Sequence, residues 1–216
     1  MPTTTRADLE MALAEAVHRA RNDLQAVTAM LQLQAAMSPD QTVQAALLEA
    51  LTRVRALASL NARLDAKAKG VTTVIDGQAL VDGVAGDLRS MHFGQRPITL
   101  DVTAEPHRIP VDHARPLGLI LNELVVNALK YAFPDDRAGT VFIDFQSRGH
   151  ERILVVRDDG VGGDTTAAPR GTGLGRRMVQ ALAAQIGGTF TAKPGEDGVG
   201  TECVVRWPRT RPSDSG

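Results

Sequence analysis

Three side chains at helical spacing carry the first chemical signal in this chain. In the run Leu119 to Phe133, LILNELVVNALKYAF, the residues Glu123, Asn127 and Lys130 follow one another at i, i+4 and i+7 and so share one face. Leu119, Ile120, Leu121, Leu124, Val125, Val126, Ala128 and Leu129 cover the rest of the circumference, so this helix is expected to be buried on nearly every side. Leaving such polar groups unsatisfied costs roughly 1–3 kcal/mol each, more for the charges. The stripe therefore needs either an internal ion pair with a capping amide or a polar ligand carrying a metal and phosphates.

Two glycine-rich turns follow. Asp158-Asp159-Gly160-Val161-Gly162 succeeds the apolar run Ile153 to Val156, which reads as a buried strand. Gly171-Thr172-Gly173-Leu174-Gly175 opens a helix whose apolar positions Leu174, Met178, Leu182 and Ile186 keep a helical period until Gly187-Gly188 ends it. Such glycines let backbone N–H groups approach an anion, and a helix N-terminus adds partial positive charge, so the second turn reads as a phosphate cradle.

Two common nucleotide motifs are excluded. No Gly-x-x-x-x-Gly-Lys-[Ser/Thr] occurs, so the chain is not a P-loop enzyme. Gly160-x-Gly162 after a strand suggests a dinucleotide fold, but Thr165 stands at the third glycine position and Asp158 and Asp159 would repel a pyrophosphate. An acid before these glycines is better placed to accept a hydrogen bond from an exocyclic amine such as that of adenine.

Taken in order, LNELVVNALKY, DDGVG, GTGLG and the late Gly200-Thr201 resemble the N, G1 and G2 boxes and closing strand of the GHKL superfamily, over roughly Ile98 to Pro208. The resemblance implies the Bergerat ATP-binding fold. It further implies that Asn127 coordinates Mg²⁺ bridging the ATP phosphates and that Asp158 receives the adenine amino group. Gly160, Gly162, Gly171, Thr172, Gly173, Leu174 and Gly175 would shape the lid and phosphate site. Lys130 would lie near the phosphates, Tyr131 near the base and Thr201 beside the adenine. Glu123 would position water or support the Mg²⁺ shell.

The N-terminal third distinguishes among superfamily members. Leu9, Leu13, Ala16, Ala20, Leu24, Val27 and Leu31 form the apolar face of a long helix, with His18, Asn22 and Gln25 on another face. A second helical pattern through Val43, Leu47, Leu51, Val54 and Leu57 follows the turn Ser38-Pro39-Asp40, which predicts a helical hairpin. Two such helices have little core of their own, so a second copy is expected to complete a dimeric four-helix bundle. The string Glu15-x-x-His18-Arg19-x-x-Asn22-Asp23-Leu24-Gln25 resembles the phosphoacceptor helix of the sensor histidine-kinase subfamily in which Arg follows the histidine. In the larger histidine-kinase group an acid follows and acts on the ring; Arg19 leaves the base here unassigned.

The implied chemistry is in-line attack by a neutral imidazole, unperturbed pKa about 6.5, on the γ-phosphorus of ATP. Catalysis would rest on positioning and on cationic groups that offset the charge of the transferring phosphoryl. Asn22, one turn beyond His18, could hold the other ring nitrogen and fix the tautomer. The phosphoryl would then pass to an aspartate of a response-regulator receiver domain. An alternative is a histidine phosphotransferase that relays phosphoryl groups between receivers, with the ATP-like domain as a binding surface; the intact Asn127, Asp158 and Gly171–Gly175 elements favour a kinase. A GHKL serine kinase would need neither His18 nor the hairpin.

A net charge of −1 gives no electrostatic footprint for nucleic acid or anionic membrane. The absence of a leader and of a long apolar run predicts a cytoplasmic protein without membrane insertion. The single cysteine, Cys203, excludes an intramolecular disulfide framework and is expected to be inert packing in the last strand. His92, His107, His113 and His150 show no metal-ligand spacing. The first helix is expected to begin within a few residues of Met1, so any signal would come from a separate sensory protein or from nucleotide state.

The predicted class is α+β: a dimerisation and phosphotransfer hairpin over 1–70, an α/β sandwich ATP-binding domain over 71–208, and a disordered tail over 209–216. Within the second domain the sequence predicts a helix over Gly77 to His92 and strands at Ile98–Val102, Val141–Phe145, Ile153–Val156, Thr189–Ala192 and Glu202–Trp207. These make a mixed sheet covered on one face by helices. Gly163 to Arg170 reads as a short lid without the phenylalanine box of many histidine kinases, with Arg170 in reach of ATP phosphates or solvated.

Overall fold

The computed structural model describes residues 5–67, 73–94, 96–162 and 173–209. The lid with Arg170, the residues Gly171 and Thr172, and all of the tail beyond Arg209 lie outside the described residues, as do the side chains of Leu9 and Leu13. The chain divides into two compact units, Met1–Gly70 and Val71–Gly216.

The first unit is a pair of long helices, α1 (Arg6–Met37) and α2 (Gln41–Lys67). Asp40 starts α2 by accepting the backbone N–H of Thr42 at 2.7 Å and of Val43 at 3.3 Å through Oδ1, the ordinary way an aspartate satisfies orphan donors at a helix N-terminus. Gln44 Nε2 reaches back to the Ala35 carbonyl at 3.2 Å and ties the two helices across the turn. Ala35, Leu51, Leu60 and Leu64 are the buried contacts. Part of the predicted apolar face is left open, with Val27 and Val43 exposed, and Met30, Leu33 and Met37, which lie outside that face, are exposed as well in the single hairpin. Two helices cover only one side of each other.

The second unit is built around a five-stranded sheet: β2 (Ile98–Ala104), β4 (Gly139–Arg148), β5 (Glu151–Asp158), β6 (Thr189–Pro194) and β7 (Thr201–Pro208), in the order β2-β4-β5-β7-β6. β2 and β4 are parallel and the other pairs antiparallel. Two three-residue strands that the sequence reading does not contain, β1 (Val74–Asp76) and β3 (Arg108–Pro110), pair antiparallel in a small second sheet. The helices are α3 (Gly77–Leu88), α4 (Val111–Tyr131) and α5 (Leu174–Gln185), with a π-helical turn Arg89–Phe93 carrying on from α3.

Strand alternation sets the layers. Val141, Ile143 and Phe145 of β4 are fully buried on the face that the helices cover, opposite Asp158, Val156 and Leu154 of β5. The intervening Phe142, Asp144 and Gln146 point the other way, and Arg157 lies over the Phe142 ring at 4.7 Å. α4 begins eight residues earlier than its apolar pattern, because the segment before Leu119 contains Pro116 and mixed polar residues yet still continues the helix, and it stops before Phe133. α5 buries Gly175, Val179 and Ala183, while Leu174 of the predicted seam is 53% exposed. The small residues let α5 lie close against α4, and that shifts the buried line by one position.

Candidate active site

α4 is the floor of the site. Glu123 is buried, and one turn on, the half-buried Asn127 donates from Nδ2 to Glu123 Oε1 at 3.4 Å. With Nδ2 engaged in this way, the Asn127 carbonyl oxygen is left to accept or to coordinate. Lys130, a further turn along, is exposed and stands 5.0 Å over the Tyr131 ring. The stripe thus runs from buried acid to exposed amine, graded along the helix.

The first glycine turn packs on the C-terminal end of this helix. Val161 N–H donates to the Ala132 carbonyl at 2.9 Å, and a Cβ on Gly160 would stand 2.3 Å from that same oxygen. Only glycine permits such an approach. Asp158 is buried at the end of β5, where it accepts the Gly160 N–H at 3.1 Å and the backbone of Thr201. Burial, the larger effect, lifts its pKa above the usual aspartate value against the lowering pull of those hydrogen bonds, and the neighbouring Asp159 adds to the rise. Gly200 closes the other side: at φ +67° its Cβ position lies 1.8 Å from the Asp158 carbonyl oxygen. Gly162, also left-handed at φ +65°, faces the Gly198 and Gly200 carbonyls.

The second glycine turn delivers α5 to the buried acid. Gly173 takes the N-cap position at φ 66°, ψ 0°, with no side-chain cap, and Leu174 and Gly175 form the first turn. Gly175 sits directly on Glu123, Oε1 lying 1.9 Å from where a Cβ would be, and Asn127 Nδ2 lies 3.4 Å from the same point. An acid against a helix N-terminus is electrostatically favourable. Glu123, Asn127 and the α5 start are therefore one locus, and Asp158, Gly160, Gly162 and Thr201 form a second one packed on the end of the same helix.

Four supporting residues escaped the sequence reading. Asp159 Oδ1 accepts the Thr140 N–H at 2.7 Å, so the second acid of the DDGVG turn joins β5 to β4. Gly139 makes room for it, since a Cβ there would meet the Phe133 ring at 2.2 Å and Asp159 Oδ1 at 2.5 Å. Arg96 donates from Nη1 to the Leu129 carbonyl at 2.9 Å and from Nη2 to Phe133 at 3.0 Å, capping the C-terminal end of α4 with a cation. Gly200, read only as part of the closing strand, shapes the wall around Asp158. Cys203 is close enough to Asp158 to feel its charge, but burial is the main reason its thiol is pushed up to about 12. That keeps it a thiol at neutral pH.

In the hairpin, His18 and Asn22 are both exposed on α1. Arg19 pairs with Glu15, one turn before it, so the carboxylate closest in sequence to His18 on its N-terminal side is already engaged. Among the described residues there is no group of three or more His, Cys, Asp or Glu side chains that could hold a metal ion, and no helix long and apolar enough to cross a membrane.

Two family models match the chain in succession: "Histidine kinase" over residues 15–92 and "Histidine kinase-, DNA gyrase B-, and HSP90-like ATPase" over residues 112–211. The chain belongs to the histidine-kinase family. It carries that family's catalytic core, a helical hairpin followed by an α/β ATPase domain, and the ATPase match implies ATP binding. Among curated proteins it is 28% identical over 199 residues to sensor histidine kinase PdtaS of Mycobacterium tuberculosis, covering 91% of this chain and 39% of that protein. It is 30% identical over 196 residues to blue-light-activated histidine kinase 2 of Erythrobacter litoralis, covering 88% of this chain and 56% of that one. The chain thus spans about two fifths to just over half of these relatives. The solved histidine kinase domain of the Erythrobacter litoralis EL346 blue-light activated kinase aligns over 94% of this chain and 95% of its own, at 25% identity and a TM-score of 0.62.

Proposed function

We propose that this chain is an ATP-dependent protein-histidine kinase that phosphorylates its own His18 and passes the phosphoryl group to an aspartate on a response-regulator receiver domain. Residues 1–70 serve as the dimerisation and phosphotransfer hairpin and residues 71–208 as the ATP-binding domain. The observation that carries this reading is the convergence on α4 of a buried acceptor, Asp158, at one locus and the Glu123–Asn127 pair against the first turn of α5 at the other.

Asp158 accepts the adenine amino group; its carboxylate is already aimed by the Gly160 and Thr201 backbone. Tyr131 lines the base side, and Gly162, Gly173, Leu174 and Gly175 supply close backbone approach to the phosphates, a role that the family resemblance extends to Gly171 and Thr172. Glu123 and Asn127 offer carboxylate and amide oxygens, the hard donors Mg²⁺ prefers, and would be the residues that hold it. When bound there, Mg²⁺ would offset the negative charge of the ATP phosphates. Lys130 adds a point charge at the rim. His18, exposed on α1, presents one ring nitrogen as nucleophile while Asn22 holds the other.

The test is incubation with Mg²⁺ and γ-labelled ATP, scored for acid-labile, alkali-stable label. Label is expected in the wild type and lost in both His18→Gln and Asn127→Ala. Label retained in His18→Gln overturns the phosphoacceptor. No label in the wild type, with a phosphorylated receiver still able to charge His18, leaves the relay function instead.

A further inference from the structure

β5 carries a buried charge at each end of the face that the helices cover. Asp158 is accounted for above. The other is Arg152, six residues earlier and 5% exposed. Six residues of strand span about 20 Å, so the two do not neutralise each other. Nη2 of Arg152 donates to the Arg108 carbonyl at 2.7 Å, but Nε and Nη1 are fully buried with no partner. Its direct cross-strand neighbour on β7 is Trp207, 1% exposed, whose indole Nε1 is likewise buried and unpartnered. His113, in the first turn of α4, lies within electrostatic reach of Arg152, and its Nδ1 is a further buried atom without a partner.

Chemically this is a one-sided set. Arg Nε, Arg Nη1 and indole Nε1 can only donate, and the imidazole nitrogen can do so in the matching tautomer. The other charge acting on Arg152 is a second cation, Arg209, while the Asp112 carboxylate acts on His113 beside it. Burial, then Arg209, draws the Arg152 pKa below the usual guanidinium value. A buried charge is retained in proteins when something pairs with it. Three donors and a net positive charge on neighbouring strand residues call for an acceptor that is itself negative. Trp207 is 1% exposed and its ring stacks on Phe145 at 6.1 Å, so an acceptor that meets its N–H has to be small.

We propose that this end of the sheet, opposite the nucleotide locus, is a binding site for one small monovalent anion, a halide or a carboxylate group, held by Arg152 Nε and Nη1 and Trp207 Nε1 with His113 beside it. Occupation completes the charge balance under the start of α4, the helix that carries Glu123 and Asn127 at its other end. The site is independent of the kinase assignment.

The test is thermal melting of the full chain, without nucleotide, in sodium chloride and in the sodium salt of a bulky sulfonate at equal ionic strength. Chloride about fivefold above its Kd should raise the melting temperature by about 2–4 °C over the sulfonate. Trp207→Phe, which keeps an aromatic ring and loses the indole N–H, and Arg152→Met should each abolish that difference while still melting cooperatively. In crystals grown with bromide, an anomalous peak is expected between Arg152 and Trp207. A chain ending at an amidated Arg209, so that truncation adds no new carboxylate beside Arg152, separates two sources of the same chemistry: an unchanged chloride response assigns the site to solvent anions, and a response that emerges only after truncation assigns it to a carboxylate of the chain itself. Equal melting in both salts for the wild-type and truncated chains, or a chloride response undiminished in both substitutions, overturns the proposal.

Discussion

The carboxylate of Glu123 occupies the place where a side chain at Gly175 would begin, with Oε1 1.9 Å from the Cβ position. The acid of one helix and the missing side chain of the other are thus a matched pair, and the first turn of α5 is brought against α4 because residue 175 is a glycine. Gly175→Ala tests the match. The intruding methyl meets the far end of a side chain rather than backbone, and alanine is intrinsically better in a helix than glycine by roughly 0.5–1 kcal/mol. The fold should survive with little change in melting temperature, while the displaced carboxylate lowers the rate of His18 labelling by roughly 10- to 100-fold, as misplacement by about 1 Å does. Parallel melting and labelling measurements check this; a collapse of stability would mean Glu123 cannot move.

Gly200 and Gly198 make a controlled comparison. Both have positive φ, but a Cβ at Gly198 meets nothing within 4 Å, whereas one at Gly200 meets the Asp158 carbonyl oxygen at 1.8 Å. Gly198→Ala should cost only the left-handed penalty of about 1–2 kcal/mol. Gly200→Ala should cost more, since backbone must shift, and should also weaken ATP binding by distorting the wall around Asp158. Denaturant unfolding of the two variants, with nucleotide titration of each, gives the contrast.

Asp158 has a raised pKa, so the folded state holds its proton more tightly than the unfolded chain. Its contribution to stability is therefore fully present below the unfolded aspartate value of about 3.9, and is lost as the pH rises through the folded value. Asp158→Asn removes that ionisation. The variant should melt close to wild type in acid and gain relative to it as pH rises to neutrality, yet bind ATP roughly 10- to 100-fold more weakly. Melting curves across pH, paired with binding at pH 7, distinguish this from simple damage, which would lower stability at every pH.

The exposed apolar side chains of α1 predict the dimer surface. Met30 is 61% and Leu33 62% exposed in the lone hairpin, three residues apart on the helix. Substituting both with glutamate costs a monomer little but places charges in a dimer core. Light scattering should give twice the chain mass for the wild type and one chain mass for Met30→Glu/Leu33→Glu, with helical circular dichroism largely kept. A wild-type protein that runs as a monomer would overturn the four-helix bundle.

What could be read from sequence follows the range of the interactions. Glu123 and Asn127 are four residues apart on a helix, so their meeting is visible in the spacing, and the alternation of Val141, Ile143 and Phe145 announces its own strand. Arg96 reaches the Leu129 and Phe133 carbonyls across more than thirty residues, and Asp159 reaches the Thr140 N–H across nineteen. Neither leaves a local periodic trace. β1 and β3, three residues each and ending against a helix start and a proline, are too short for alternation to register. The one-position shift of the α5 seam arises from close packing at Gly175 and Ala183, which an apolar-period count ignores because glycine and alanine score weakly in it. The resemblance to a family covered the glycine turns, where local pattern alone left several readings open.

Trp207 and Tyr131 are the only tryptophan and tyrosine in the chain, and both belong to the second unit. Intrinsic fluorescence is consequently blind to the helical hairpin, while far-ultraviolet dichroism is weighted toward its two long helices. One unlabelled sample followed by both optical signals can therefore resolve whether the units unfold together or in turn, with the tryptophan stacked on Phe145 serving as a natural beacon for the sheet alone.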